Sequence, residues 1–139
     1  MSYWLVKTEP ETWSWEMQVK CGVRGEAWSG VRNHTAKNNL ARMKLHDRAL
    51  FYHSGSEKAV VGIVEVTREA YPDPTDKTGR FVAVTVAAVV PMKEPVSLAA
   101  AKAEPRLQDM VLVNNTRLSV QPVTAAEWKV ICAMGAVSA

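Results

Sequence analysis

With 139 residues, 47% of them hydrophobic and 22% charged, the chain has the size and balance of one globular domain, taken as residues 1–139, that can bury a core without staples. Cys21 and Cys132 form neither a CxxC pair nor a zinc spacing, so no disulfide framework, metal or other cofactor is expected, and free thiols suit a reducing cytoplasm. MSYWLVKTEPE lacks the basic-then-apolar order of a signal peptide, and the longest apolar stretch, Phe81 to Pro91, falls well short of the roughly 20 residues of a membrane span, so a soluble, cytoplasmic protein is expected.

Tyr3 to Thr8, rich in aromatic and β-branched residues, reads as a first strand that Pro10 ends. Thr12 to Val19 reads as a short helix or turn around Trp13 and Trp15. The net charge of +3 is concentrated just beyond: residues 20–48 hold seven cations against two carboxylates, a net +5, which offers either an anion-facing patch or a solvated helix face. Asn33 to Lys44 is a helix by the spacing of Ala36, Leu40 and Met43, with Asn33 as its N-cap. Arg48 to Ser54 and Ala59 to Thr67 form a hairpin, in which Val60, Gly62, Val64 and Val66 share a face and Gly62 marks a bulge or a close backbone approach. Tyr71 to Gly79 is a long turn, and Phe81 to Val90 is a strand that Pro91 and Pro95 stop. Ser97 caps a short helix to Ala103, and a last strand spans Leu118 to Val123. The final helix carries a capping box at Thr124 and Glu127, a staple from Val123 to Trp128, and a stop at Gly135. This order of elements gives an α+β class and fits a small, curved, mixed barrel with helices packed around it better than a doubly wound sheet.

Catalytic patterns fail one by one. Tyr52 replaces the first glycine of a GxSxG elbow around Ser54. His34, His46 and His53 make no HxxxH or HxH pair. PDPTDK at Pro72 to Lys77 shares part of a nuclease signature, but the following strand supplies no acid. A binding site has better material. Four of the five tryptophans, Trp4, Trp13, Trp15 and Trp28, fall in the first 28 residues, and Asn33, His53 and Ser54 are polar residues that could join them. Core packing is the ordinary fate of any one tryptophan. A pocket for a flat ring nonetheless needs these three components: aromatic walls, fixed polar groups at the ring edge and a cationic rim.

YWLVKTEPETWSW at Tyr3 to Trp15 and WSGVRN at Trp28 to Asn33 resemble the signature motifs of EVE domains, which belong to the PUA-like superfamily. FYHSG, VGIVEV, YPDPT, RLSVQPVT and the Glu127–Trp128 pair follow in the family's order, so the resemblance covers almost the whole chain. It implies a PUA-like fold, a small, mixed, mostly antiparallel β-barrel flanked by short helices, and non-catalytic recognition of a modified base, favouring modified cytosine in DNA, with RNA a second possibility. Carried onto this chain, the resemblance gives a ligand pocket of Trp13, Trp28, Gly30, Val31, Arg32, Asn33, Tyr52, His53 and Ser54. Lys7, Glu9, Arg117 and Ser119 would form the phosphate-facing or supporting rim. Trp28 and Trp13 are the expected stacking residues. Asn33, Ser54 and the backbone of Gly30 to Arg32 are the expected ring-edge contacts. Alternatively, Arg32 and Arg117 hold loops through carboxylates such as Glu9. Ser29 stands where Asp is usual and His34 where many relatives have an aromatic residue. His46 replaces a frequent Gly, where left-handed backbone would be strained. The expected partner is nucleic acid, bound by a monomer with no membrane attachment. A free-nucleoside or small-molecule sensor is the alternative function, and a nucleotide-processing enzyme the third.

Overall fold

The computed structural model describes residues 1–115 and 117–139. Six strands, β1 (Tyr3–Thr8), β2 (Glu26–Trp28), β3 (Arg48–His53), β4 (Ala59–Pro72), β5 (Val82–Ser97) and β6 (Val120–Val123), form one sheet in the order β2-β5-β4-β3-β1-β6. β1 and β3 are parallel and the other neighbours antiparallel. The α+β class therefore stands, but the sheet is open, with β2 and β6 at its two ends rather than joined into a closed barrel. Among the described residues five short helices flank it: α1 (Trp15–Lys20), α2 (His34–Arg42), α3 (Leu98–Ala103), α4 (Val111–Asn114) and α5 (Ala125–Met134). No helix among the described residues is long and apolar enough to cross a membrane.

Local signals were obeyed where backbone chemistry is local. Asn33, Ser97 and Thr124 each accept a hydrogen bond from the N–H three residues on, and Thr124 and Glu127 complete the capping box. Ala36 and Leu40 of α2 and Met43, which caps its C-terminus, are buried in the same cluster. His46 has φ +74, the left-handed conformation that its glycine-favouring position implied.

Three expectations need correction. β5 continues through Pro91 and Pro95 to Ser97. Its other neighbour, β2, pairs only with Val84 to Val86, so farther along β5 has a free edge where a missing N–H costs no ladder bond. Val60 does not share a face with Val64 and Val66. The register shifts between Val60 and Gly62, sending Val60 and Ile63 to one core while Val64 and Val66 enter the other. β2, absent from the sequence reading, pairs Trp28 with Val84. Three residues are too short to show a period, and β2 depends on Gly25, where an added Cβ would lie 2.5 Å from the Val86 carbonyl oxygen.

Hydrophobic clusters pack on both faces of the sheet. One gathers Leu5, Leu50, Tyr52, Ile63, Ile131 and Trp128. The other gathers Trp4, Val6, Phe51, Val64, Val84 and Trp28, and it borders the candidate site.

Candidate functional site

A cavity of about 530 Å³ opens between the end of β1, the segment after it and the β2 turn, a size within the roughly 300–1,000 Å³ of small-molecule pockets. Trp13 and Trp28 line it, with Gly30, Val31, Arg32, Lys7 and Ser119. Trp28 is 7% exposed and its indole meets Phe51 edge-on, with centroids 5.5 Å apart and planes at 82°. Phe51 makes similar edge contacts with Trp15 and His53, so one ring braces three neighbours. Trp13 is half-buried and its Nε1 donates to Gln18 Oε1 at 2.9 Å. Gln18, fully buried, donates in turn to the Val86 carbonyl at 3.0 Å, tying the Trp13 wall to β5. Trp4 meets the ordinary fate of a core indole: it is buried and its Nε1 donates to Asp47.

The turn from Trp28 to Asn33 is shaped by a carboxylate outside it. Asp73, 2% exposed, accepts from the Gly30 N–H at 2.8 Å, from Arg32 Nη1 at 3.1 Å, and from the Thr75 N–H and hydroxyl. Burial disfavours the Asp73 carboxylate, but these hydrogen bonds together outweigh that cost and hold its pKa below the usual 3.8. Gly30 adopts φ +82, with open space where a Cβ would lie, so the backbone angle rather than crowding calls for glycine. Arg32 also donates to Thr75 Oγ1 and lies over the Phe81 ring at 5.2 Å, beside the stacked His34. Arg32 thus holds a loop through a carboxylate, as one alternative foresaw, but the carboxylate is Asp73 and not Glu9. Its side chain remains 43% exposed at the cavity rim.

The remaining expected site residues are placed elsewhere. Asn33 is exposed and its side-chain oxygen caps α2 through the Ala36 N–H, so that oxygen is already engaged. The Gly30 N–H is likewise engaged, donating to Asp73. Tyr52 lies on the opposite face of the sheet from Trp28, because consecutive strand residues alternate sides, and with Ser54 it lines a different hollow. His53 is buried below Trp15, its Nε2 accepting the Trp15 N–H and its Nδ1 facing the Glu57 carboxylate. Glu9 is exposed, its carbonyl accepting from the N–H groups of Thr12 and Trp13. Arg117 is exposed outside the cavity lining, with its N–H donating to Asn115. The basic segment disperses: Arg32 reaches the cavity, Lys37 turns to Phe81, Arg42 to Trp4 and Arg48 to Glu65.

Sequence reasoning missed Thr8, Thr12, Glu26, Ala27 and Ser29 in the lining. Glu26 brings a carboxylate into the cavity, with one oxygen accepting the Ala27 N–H at 3.0 Å. The signal that could have found it was its place two residues before Trp28, which puts both on one side of β2. Lys7, half-buried, lies 5.5 Å from the Tyr52 ring centroid, and burial lowers its ammonium below the usual 10.5. Among the described residues no group of three or more His, Cys, Asp or Glu is placed to hold a metal ion. The arrangement offers indole surface to a flat ring, a carboxylate that can accept from an amino group, and a cation at the rim.

Known proteins share this outline. The EVE domain model matches residues 2–134. Thymocyte nuclear protein 1 of Homo sapiens is 32% identical over 165 residues, covering 96% of this chain and 73% of that protein. A structure from Rhodopseudomonas palustris superposes with a TM-score of 0.93 at 60% identity, covering 98% of this chain and 94% of the other. Human THYN1, crystallised with 5-methylcytosine-containing DNA, superposes with a TM-score of 0.90 at 30% identity, covering 100% of both chains.

Proposed function

The chain belongs to the EVE domain family, and from that premise we propose that it is a non-catalytic, single-domain reader of nucleic acid that takes one modified base into the tryptophan cavity. The observation that carries this reading is the 530 Å³ cavity, walled by Trp13 and Trp28 and rimmed by Lys7 and Arg32. It joins ring-sized apolar walls to cations that attract phosphate.

Modified cytosine in DNA is the favoured occupant, and RNA the second. The human relative crystallised with 5-methylcytosine-containing DNA supports that choice. So does Glu26, because the exocyclic amine of cytosine is a donor that a carboxylate accepts. Ala27 and Val31 supply apolar surface for a ring methyl. A base taken into this cavity has to leave its stack, as in base-flipping proteins. The protein acts as a monomer in the cytoplasm, where its two free cysteines stay reduced.

The test is binding of short duplexes with and without one 5-methylcytosine at two salt concentrations. Trp13→Ala, at a half-buried position, is expected to lower affinity for the modified duplex by about 1–3 kcal/mol, roughly 5- to 150-fold. Wild-type affinity and preference in both Trp13→Ala and Trp28→Phe would remove the pocket reading. A free nucleoside binding as tightly as the duplex would favour a nucleoside sensor instead.

A further inference from the structure

Of the residues of α1 only Gln18 is buried, and it is polar. The apolar residues on either side of it in the chain, Met17 and Val19, are left 39% and 48% exposed. The usual order is the reverse, because an apolar side chain gains by burial whereas an amide loses unless its polar atoms find partners. Gln18 finds them at both ends. Its Oε1 accepts the Trp13 indole N–H at 2.9 Å, and its Nε2 donates to the Val86 carbonyl at 3.0 Å. An indole N–H can only donate and a carbonyl only accept, so the two partners fix which way the amide points. Val86 is paired with Glu26, so the amide links Trp13 to the strand position beside which Glu26 enters the cavity. The Trp13 backbone is held as well: its N–H donates to the Glu9 carbonyl, and its carbonyl accepts the Thr8 hydroxyl, each at 2.9 Å.

We propose that Gln18 is a positioning residue for base recognition, fixing the orientation of the Trp13 indole on which the modified base stacks. The inference rests on the reading of the tryptophan cavity as a base pocket. Gln18 is absent from the cavity lining and acts through Trp13. With its backbone pinned, Trp13 keeps freedom only in its side-chain torsions, and a half-buried ring is not locked by packing alone. The bond to Gln18 removes that freedom before the base arrives, so binding does not bear the cost of ordering the ring. A methionine at position 18 would fill similar space without a buried amide, but it would leave the indole N–H with no acceptor. Burying an amide where an apolar side chain would serve packing better therefore points to the ring it holds.

The test is a double-mutant cycle of Gln18→Met and Trp13→Phe. It is read as the preference for a duplex with one 5-methylcytosine over its unmodified counterpart. Phenylalanine keeps a stacking ring but has no N–H for Gln18. Each single variant is expected to lose about three- to tenfold in preference, the range of one net hydrogen bond, with the salt dependence of binding unchanged because no cation is altered. In the Trp13→Phe background, Gln18→Met should change the preference by less than about twofold, since the bond it removes is already gone. In Gln18→Met the Trp13 indole N–H resonance should move and exchange faster with solvent. Gln18→Glu is the second variant, for use even where methionine does not fold. In mildly acidic buffer burial keeps its carboxyl neutral, with an acceptor for the indole and a donor for Val86, and it should retain the wild-type preference. An undiminished preference in Gln18→Met, while Trp13→Ala still loses it, overturns the positioning role and leaves the base pocket standing. Losses that multiply across the cycle also overturn it, reducing Gln18 to a support of α1.

Discussion

On one face of the sheet Trp128 stacks on Tyr3, with centroids 4.4 Å apart, and donates its Nε1 to the Ala139 carbonyl at 2.8 Å. On the other face Trp28 meets Phe51 edge-on and borders an open cavity. The two indoles are almost equally buried, at 3% and 7% exposure. What separates them is the chain that follows. After Trp128 the rest of α5 and the C-terminal residues fold back across the ring, leaving a closed core. After Trp28 the chain enters a turn whose Gly30 N–H and Arg32 side chain are drawn toward Asp73. Burial of an aromatic ring thus does not distinguish core from site, whereas the fate of the polar groups beside it does.

Replacing each ring breaks the comparison most directly. Trp128→Ala should destabilise the fold by about 3–5 kcal/mol in urea unfolding, yet leave the base preference of the folded fraction intact. Loss of that preference in a fully folded sample would mean that the two faces are not separable. Asp73→Ala comes next. It strips the acceptor from the Gly30 N–H and from Arg32, and should cost about 1–3 kcal/mol of stability while also weakening binding of modified DNA, because the cavity turn loosens. A binding affinity equal to wild type would separate the turn's geometry from recognition.

Acid sharpens the same point. The folded Asp73 carboxyl lies below its usual 3.8, so the stability it contributes is complete above that pH, shrinks as pH falls below it, and disappears beneath the folded value. Urea midpoints of wild type and Asp73→Asn should therefore converge as pH is lowered, and a constant gap would contradict the assignment. The smallest effect belongs to His46, remote from both rings in the turn before β3. His46→Gly should stabilise by about 0.5 kcal/mol, since relief of the left-handed strain exceeds the added entropy of the unfolded chain. A loss of stability would show that the contact between its ring and Glu65, 3.4 Å away, matters more.

The legible features of this chain were the local ones. The caps at Asn33, Ser97 and Thr124, the β1 span and the stripe on α2 depend on contacts within a few residues. Gly62 illustrates the limit. Its spacing suggested a bulge or a close approach, and both occur, but the approaching group is Trp15, whose ring would lie 2.5 Å from an added Cβ. Nothing in the spacing of Trp15 and Gly62 names that partner. The site divided in the same way. Trp13, Trp28, Gly30, Val31, Arg32, Lys7 and Ser119 converge on the cavity, whereas Tyr52 and Ser54 line a different hollow and Asn33 is taken by its helix.

By itself the sequence determined the α+β class, the starts of α2, α3 and α5, the kinship with EVE domains and the presence of indoles and cations suited to a base. Tertiary structure alone decided that the sheet stays open, that Tyr52 faces away from Trp28, that Asp73 shapes the turn 43 residues before it, and that Glu26 enters the cavity. The reason is one of range. Caps and hydrophobic periods are set by neighbours along the chain, whereas strand register and long-range hydrogen bonds depend on which distant segments meet, and a shift of one residue moves a side chain to the other face.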